Sequence, residues 1–520
     1  MSIDAGDALV TALHEHNPWW EGGAEVFSLP PRAKSDFYHL ARPEEPTSQF
    51  EDQSLLALVG RRGVGKTTLL YQFIHHRIQA GADPAGFLYL PFDADPLYQL
   101  RSDEQLRRAV RYYESRILSG LETDQPQFLM LDDVHQVTHP SKRTVQGWAR
   151  PVTGLLADAL DRHVIVTASA GIQIERALES VDMGADAYDI QPILPEKFRD
   201  FLFARRPSLE TEDRRLSPTS IREGPGSLPR AVATGEIAPL VEELRAKHRQ
   251  VEDVDRRIQA RLPDYLAMGG TISLGQETPE EGDEVSNDLY TTLRTEVREA
   301  LYQDVPGFES IQTIADLERL CALAARNRGV EPFRYQALAE LFDVDRRTIT
   351  DSYLPALGEL YLLTAATEYD NSRPRSVRLY LRDTGLVTAF GSDDAAAIRK
   401  DLDREAQLAR GAAFDHTMRF AYGIEATQGG GESPTVDYWE GRDGLVDFIF
   451  EVDGTPVPIA LAYRSRDRDP ALAGLEEFRD SYETPLGLVL AGDTVAGDTP
   501  IETLSDGIVQ LPYWLYLALC

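Results

Sequence analysis

Gly60-Arg61-Arg62-Gly63-Val64-Gly65-Lys66-Thr67, followed by Thr68, fits the pattern G-x-x-x-x-G-K-[ST] and directly follows an apolar run at residues 55–59. No other stretch constrains the fold as much, because such a loop cradles phosphates only when a buried strand delivers it and a helix opens from it. Its glycines let consecutive backbone N–H groups wrap the phosphates, Lys66 reaches the β/γ-phosphates, and the Thr67 hydroxyl ligates Mg²⁺. The helix starting near Lys66 adds the positive end of its dipole. Leu69, Leu70, Phe73 and Ile74 give that helix an apolar face. A nucleotide, ATP or GTP, is therefore expected against Gly60, Arg61, Arg62, Gly63, Val64, Gly65, Lys66, Thr67 and Thr68. A plain glycine-rich turn is the bland alternative, and the flanking patterns count against it.

Past the loop, short apolar runs at 87–90, 128–131 and 164–167 alternate with helical patterns. That rhythm predicts an α/β fold, a parallel sheet covered by helices on both faces. The second run ends in Asp132-Asp133, and a parallel sheet delivers its strand ends to bound phosphates. Asp132 takes the place of the Mg²⁺-side acid and Asp133 that of the group polarising the attacking water, with a turn and helix cap as the alternative. Thr167 and Ser169, at the end of the next strand, are placed like a sensor of the γ-phosphate or the water. Ordinary capping of the following helix is an equal reading of that pair.

A chain of 520 residues exceeds one core. The patterns divide it into an N-terminal segment (1–45), a nucleotide-binding core (46–195), a helical lid with connecting helices (196–330), a winged helix (331–395) and a C-terminal α/β domain (396–520). The lid is interrupted by Gly224-Pro225-Gly226-Ser227-Leu228-Pro229, and residues 276–287, rich in acid and glycine, suggest an exposed linker. In the winged helix, Tyr335, Leu338, Ala339 and Phe342 face inward from one helix and Ile349, Tyr353, Leu357 and Leu360 from the next. Strands at 361–364 and 377–381 follow around a polar tip. The tail offers apolar runs at 436–439, 445–450 and 456–461, then a buried strand plus short helix at 508–519, too short to cross a bilayer.

Charge narrows the setting. The 85 acidic residues outnumber 53 basic ones for a formal charge of −32, and lysine occurs only at Lys34, Lys66, Lys142, Lys197, Lys247 and Lys400. Excess acid with arginine in place of lysine resembles the solvation pattern of salt-loving archaea, where molar salt screens self-repulsion. The same charge opposes generic nucleic-acid binding at low salt but leaves room for a local basic patch. Cys321 and Cys520 are the only cysteines, which fits a reducing interior and excludes a disulfide framework or cysteine-rich zinc site. Residues 1–20 lack the basic and apolar regions of an export signal. A cytoplasmic protein without a membrane partner is expected.

Asn17-Pro18-Trp19-Trp20, Arg62 with residues 64–70, Leu131-Asp132-Asp133-Val134-His135, Ile190-Gln191-Pro192-Ile193 with residues 198–202, residues 226–229, and Arg382-Asp383-Thr384-Gly385-Leu386 form an ordered set. In this order and spacing the chain resembles the AAA+ ATPases of archaea and bacteria that pair an ATPase module with a C-terminal domain of nuclease-like fold and uncharacterised function. The resemblance covers most of the chain. It implies ATP rather than GTP, Mg²⁺, a P-loop AAA+ parallel sheet with helical lid, a winged helix and a C-terminal restriction-endonuclease-like α/β domain. It also leaves room for a homo-oligomer in which a neighbour's arginine completes the site. Arg230 resembles a lid-borne sensor arginine touching the γ-phosphate, against the alternative of a plain surface arginine. Two departures stand out: Asp133 replaces the usual Glu, which holds water differently and would slow hydrolysis, and Gly63 replaces a second loop arginine.

A restriction-like nuclease holds its metal on two or three carboxylates, usually with a lysine near the attacking water. Asp447 suits the first ligand and Asp415 matches the family's helix acid. The acid-x-Lys triplet falls on Ala460-Leu461-Ala462, so a degenerate nuclease retained for binding is the favoured reading of 396–520. For DNA, the winged helix offers Arg346 and Arg347 on its recognition helix and Arg373, Arg375 and Arg378 on its wing. Asp343, Asp345 and Asp351 dilute that face, and a protein contact is the alternative. The leading function is an ATPase or ATP-driven switch. A DNA-binding regulator comes second and an ATP-dependent nuclease third.

Overall fold

The computed structural model describes residues 5–29, 55–92, 103–120, 127–136, 138–139, 142–146, 148–157, 162–184, 187–204, 215–270, 287–305, 311, 313–391, 398, 400–428, 434–442, 444–497, 499–505 and 507–520. The linker expected at 276–287 lies, except for Asn287, outside the described residues. The chain divides into two compact units.

The first unit comprises Met1–Leu194, Glu296–Ile311 and Glu359–Tyr361. Its sheet has five parallel strands, β1 (Leu55–Val59), β2 (Phe87–Pro91), β3 (Gln127–Asp132), β4 (Arg162–Ala168) and β5 (Tyr188–Pro192), in the order β2-β3-β4-β1-β5. Every residue of β1 and β2 is buried, which is why these strands read as unbroken apolar runs instead of alternating ones. Alternate side chains feed two cores. Leu55, Ala57, Val59, Leu129, Leu131, Val164 and Val166 enter one, while Leu56, Leu58, Met130, Ile165 and Phe73 enter the other. The strand order puts β4 between the loop-bearing β1 and the acid-bearing β3. Thr167 therefore lies between the phosphate loop and Asp132.

β2 is an edge strand, and its outward backbone groups need partners. Asn17 supplies two bonds, accepting from the Tyr89 N–H at 2.7 Å and donating to the Tyr89 carbonyl at 2.9 Å. The indole N–H groups of Trp19 and Trp20 both donate to the Phe87 carbonyl, at 3.2 and 2.8 Å. Asn17-Pro18-Trp19-Trp20 thus closes the edge of the sheet, and buried Trp19 packs into the same core as Phe73.

The second unit comprises Pro195–Thr295, Gln312–Gly358 and Leu362–Cys520. Short helices run from Phe198–Ala204 to Leu262–Met268. A three-stranded antiparallel sheet follows, β6 (Phe333–Arg334), β7 (Leu363–Ala366) and β8 (Ser376–Leu381), in the order β6-β8-β7. The strand expected from 361 begins two residues later, because Tyr361 adopts a left-handed φ of 55°. A six-stranded mixed sheet ends the chain: β9 (Asp437–Glu440), β10 (Leu445–Val452), β11 (Thr455–Ala462), β12 (Gly487–Ala491), β13 (Glu502–Ser505) and β14 (Ile508–Pro512), ordered β9-β10-β11-β12-β14-β13. The long helix Leu402–Gln428 packs on β10, and the buried helix Tyr513–Leu519 follows β14 directly.

Candidate active site

The loop leaves β1 at Gly60 and enters the helix Lys66–Gln79. Gly63 and Gly65 hold φ of 76° and 96°, a left-handed conformation that side-chain-bearing residues adopt only at a cost. The pattern requires glycine at Gly65, and at Gly63 the left-handed backbone suits glycine where the resemblance led one to look for arginine. Lys66, 7% exposed, donates to the loop's own Gly60 and Arg61 carbonyls at 2.7 and 3.2 Å. Val64 is fully buried and Thr68 half-buried.

Three hydroxyls converge on Asp132. Thr67 donates to Oδ2 at 2.7 Å, Tyr89 donates to the same oxygen at 2.8 Å, and Thr167 donates to Oδ1. Burial, followed by the charge of Asp133, pushes the Asp132 carboxyl up to about 6, against the opposing hydrogen bonds from Thr167, Thr67 and Tyr89. Thr167 also accepts from the Asp133 N–H at 2.8 Å, so one hydroxyl ties both acids to β4. Ser169 is fully buried, and its hydroxyl has no hydrogen-bond partner among the described residues.

Asp133 sits half-buried at φ 56°, just past the end of β3. His135 Nδ1 lies 3.8 Å from Asp133 Oδ1. The other ring nitrogen, Nε2, lies 3.1 Å from Asp304 Oδ1. Asp304 closes the turn after the helix Asn287–Glu299, and its side chain is buried. It also accepts from Arg62 of the loop, from Nε at 3.4 Å and Nη2 at 3.3 Å. Its backbone carbonyl accepts from Gln173 at 3.3 Å. Burial alone would raise the Asp304 carboxyl, but the hydrogen bond and charge of His135, then those of Arg62, hold it below its ordinary value. A second acid from this segment, Glu296, lies 3.6 Å from the Arg61 guanidinium, and its carboxylate occupies the space a side chain at Gly63 would need. Sequence reasoning named neither acid. Each stands far along the chain from the loop, and nothing in the local pattern marks it.

The remaining candidates belong to the second unit. Arg230 is exposed in the first turn of the helix Leu228–Thr234, its N–H directed at Ser227 Oγ. Asp415 is clasped by Arg382 Nε at 2.7 Å and Arg419 Nε at 2.6 Å. Asp447 pairs with Arg410 and accepts from the Leu461 N–H at 2.6 Å, while Ala460 and Ala462 lie in the core of the sheet. One expectation is corrected. Arg378 is not on an exposed wing but 3% exposed, its guanidinium 4.5 Å above the Tyr438 ring, because β8 turns this residue inward. Arg346 is engaged too, donating to the Pro374 carbonyl at 2.8 Å and lying over Tyr335. Arg347, Arg373 and Arg375 are exposed.

Comparison with known proteins agrees with this geometry. Residues 52–202 match the family described as an AAA domain, and residues 262–397 match a domain of unknown function (DUF8612). The uncharacterized protein MJ1637 of Methanocaldococcus jannaschii is 24% identical over 326 residues, 61% of this chain and 58% of the relative, so the match spans less than two thirds of that relative's length. Among solved structures, the Walker-type ATPase PABY2304 of Pyrococcus abyssi aligns with 71% of this chain and 99% of its own at 12% identity and a TM-score of 0.37. The Aeropyrum pernix ORC2 protein in its ADPNP–ADP complexes aligns with 78% of this chain and 98% of its own at 15% identity and a TM-score of 0.33. All five strands of the parallel sheet lie within the residues matched to the AAA domain. No helix among the described residues is long and apolar enough to cross a membrane.

Proposed function

We propose that this chain is a Mg²⁺-dependent ATPase that works as an ATP-driven switch, cleaving the β–γ phosphoanhydride bond by positioning and charge stabilisation. The observation that carries this reading is the convergence of Thr67, Tyr89 and Thr167 on the buried carboxylate of Asp132, beside the phosphate loop. Burying an acid in this way is expensive, and a purely architectural strand end would be served by an apolar residue. Lys66 would exchange the Gly60 and Arg61 carbonyls for the β/γ-phosphates, and Asp133 would orient the attacking water. Ser169 supports a γ-phosphate contact through its unpartnered hydroxyl, since a buried polar group without a partner is costly. Arg230 is the corresponding candidate from the lid.

The donor set fits the metal. A hydroxyl and a carboxylate suit a hard divalent cation that takes its other ligands from phosphate and water. Among the described residues no group of three or more His, Cys, Asp or Glu could hold a metal ion, so Thr67 and Asp132 would hold it together with ATP. A Mg²⁺ ion held there would supply positive charge to offset that of the phosphates.

We assign 46–195 to the AAA+ core, 196–330 to the lid and connecting helices, 331–395 to a winged helix and 396–520 to a degenerate nuclease-like domain kept for binding. The arginines on Asp415 and Asp447 support the last assignment. With Arg378 buried, the DNA-binding regulator loses one of its five arginines, and exposed Arg346 is partly engaged by the Pro374 carbonyl; the ATP-driven switch is preferred. A homo-oligomer and a DNA or protein partner for the winged helix belong to the same proposal, as does a halophilic cytoplasm. The test is ATP turnover with Mg²⁺ in molar KCl, with and without DNA, beside Lys66→Ala. Wild type should turn over ATP, and the variant's affinity for a fluorescent ATP analogue should fall by about 100-fold or more, since a charge-assisted contact to phosphate has no substitute in the loop. Unchanged affinity would sink the assignment.

A further inference from the structure

Asp304 comes from a segment outside the matched AAA domain, yet among the described residues its side-chain partners, Arg62 and His135, both belong to the nucleotide site. It fixes two groups at once. Arg62 commits Nε and Nη2 to Asp304, which leaves Nη1 without a partner among the described residues, on a cation carried by the phosphate loop. Asp304 also meets His135 Nε2 at 3.1 Å, which fixes the imidazole ring. The other ring nitrogen, Nδ1, lies 3.8 Å from the Asp133 carboxylate. A water bonded to two polar atoms at ordinary hydrogen-bond lengths spans about 4 Å between them, so His135 Nδ1 and Asp133 are spaced to share a water. Asp133 is one methylene shorter than the glutamate the resemblance implies at this position. A second polar group supplies the missing reach.

Resting on the ATPase reading, we propose that Asp304 is the positioning residue of the hydrolytic site, fixing the His135 ring that orients the attacking water with Asp133 and holding Arg62 toward the γ-phosphate. In the step served, the water oxygen bonds to Pγ as the bond from Pγ to the β–γ bridging oxygen breaks. That oxygen leaves with ADP, Arg62 offsets charge on the transferring group, and the water's proton passes to the Asp133 carboxylate and on to solvent. The products are ADP, inorganic phosphate and one proton.

The experiment compares full-length wild type with Asp304→Asn, Asp304→Glu, His135→Ala and the Asp304→Asn/His135→Ala double variant in molar KCl, measuring kcat, fluorescent-ATP Kd and melting temperature. Asp304→Asn and His135→Ala should each lower kcat by about tenfold or more with Kd within about threefold of wild type, as expected when water positioning is lost and ground-state binding is not. Asp304→Glu should recover part of the rate. The double variant should be no slower than the slower single one. Unchanged or faster turnover in Asp304→Asn overturns the proposal, as does a parallel fall of kcat, affinity and melting temperature in both single variants, which marks a structural clamp. If Asp304→Asn alone loses stability, His135→Ala decides. A wild type that binds Mg-ATP without ever hydrolysing it removes the ATPase reading and this inference with it, whereas normal wild-type turnover left intact by Asp304→Asn removes this inference only.

Discussion

At the scale of single residues, the two adjacent acids at the end of β3 have different surroundings and should fail differently. Asp132 is buried under three hydroxyls, whereas Asp133 is half-exposed and tethered through its backbone N–H. Asp132→Ala is expected to weaken Mg²⁺-dependent nucleotide binding, and Asp133→Ala to keep binding while slowing turnover by roughly 10- to 1,000-fold, the range for a lost water-orienting group. Titration with a fluorescent ATP analogue, with and without Mg²⁺, separates the two; intact turnover in Asp133→Ala would give the role to another residue. The loop and both acids were legible in the sequence because each lies in a contiguous pattern whose chemistry fixes its neighbours. Asp304 was not, since it meets Arg62 across 242 positions and only the folded chain brings them together. Thr167 could be placed at its strand end from the sequence, but its partners could not. Its hydroxyl goes to Asp132 and the Asp133 N–H, which no spacing rule foretells.

At the scale of elements, buried parallel strands announce themselves as apolar runs, so most of the two large sheets could be read from the sequence. What a segment does for its neighbour could not: the Asn17 to Trp20 motif carried a family likeness, but its sealing of the β2 edge rests on side-chain bonds across 67 to 72 positions. The six-stranded sheet should not cut DNA or RNA. Each of its expected metal-binding carboxylates is neutralised by arginine, and two alanines stand where further charge is needed. Incubation of both nucleic acids with Mg²⁺ or Mn²⁺ in molar KCl should leave them intact, and cleavage abolished by Asp447→Ala would restore the nuclease reading. The long helix Leu402–Gln428 gives a pH prediction. His416 is fully buried, with Nδ1 2.7 Å from the Ala412 carbonyl and Nε2 accepting from the Phe198 N–H at 3.1 Å. Burial foremost, with Arg419 and Lys197 adding to it and Asp415 opposing it, lowers its pKa from 6.5 to about 3. A depressed folded-state pKa means the unfolded chain binds the proton first, so this contribution is complete above pH 6.5 and drains away as pH falls toward 3. The slope approaches about 1.4 kcal/mol per pH unit inside that window. Denaturant titrations from pH 7 to 4 should show His416→Gln losing less stability than wild type. Equal slopes would assign the acid sensitivity elsewhere.

At the scale of the whole molecule, a formal charge of −32 makes every compact state work against its own repulsion at low ionic strength. Raising KCl from 0.1 to 2 M shortens the screening length from about 10 Å to a few ångströms, and the melting temperature should climb by on the order of 10 °C, since a few kcal/mol spread over a chain of this size suffices. A flat or falling profile by differential scanning fluorimetry would count against the halophilic reading. Charge and chain length were legible from composition. The division into units was only partly so, because the second unit begins at Pro195, near a boundary read from the sequence, whereas Glu296–Ile311 and Glu359–Tyr361 rejoin the first unit after a hundred residues of the second. That re-entry bears on inheritance. A gene fragment ending where the AAA match ends, at residue 202, would carry the loop and both acids but leave Arg62 and His135 without Asp304. If this chain was ever assembled by shuffling, the exchangeable piece was longer than the recognisable domain, and a swap made at the domain border would move the loop and both acids while leaving behind the carboxylate that Arg62 and His135 meet.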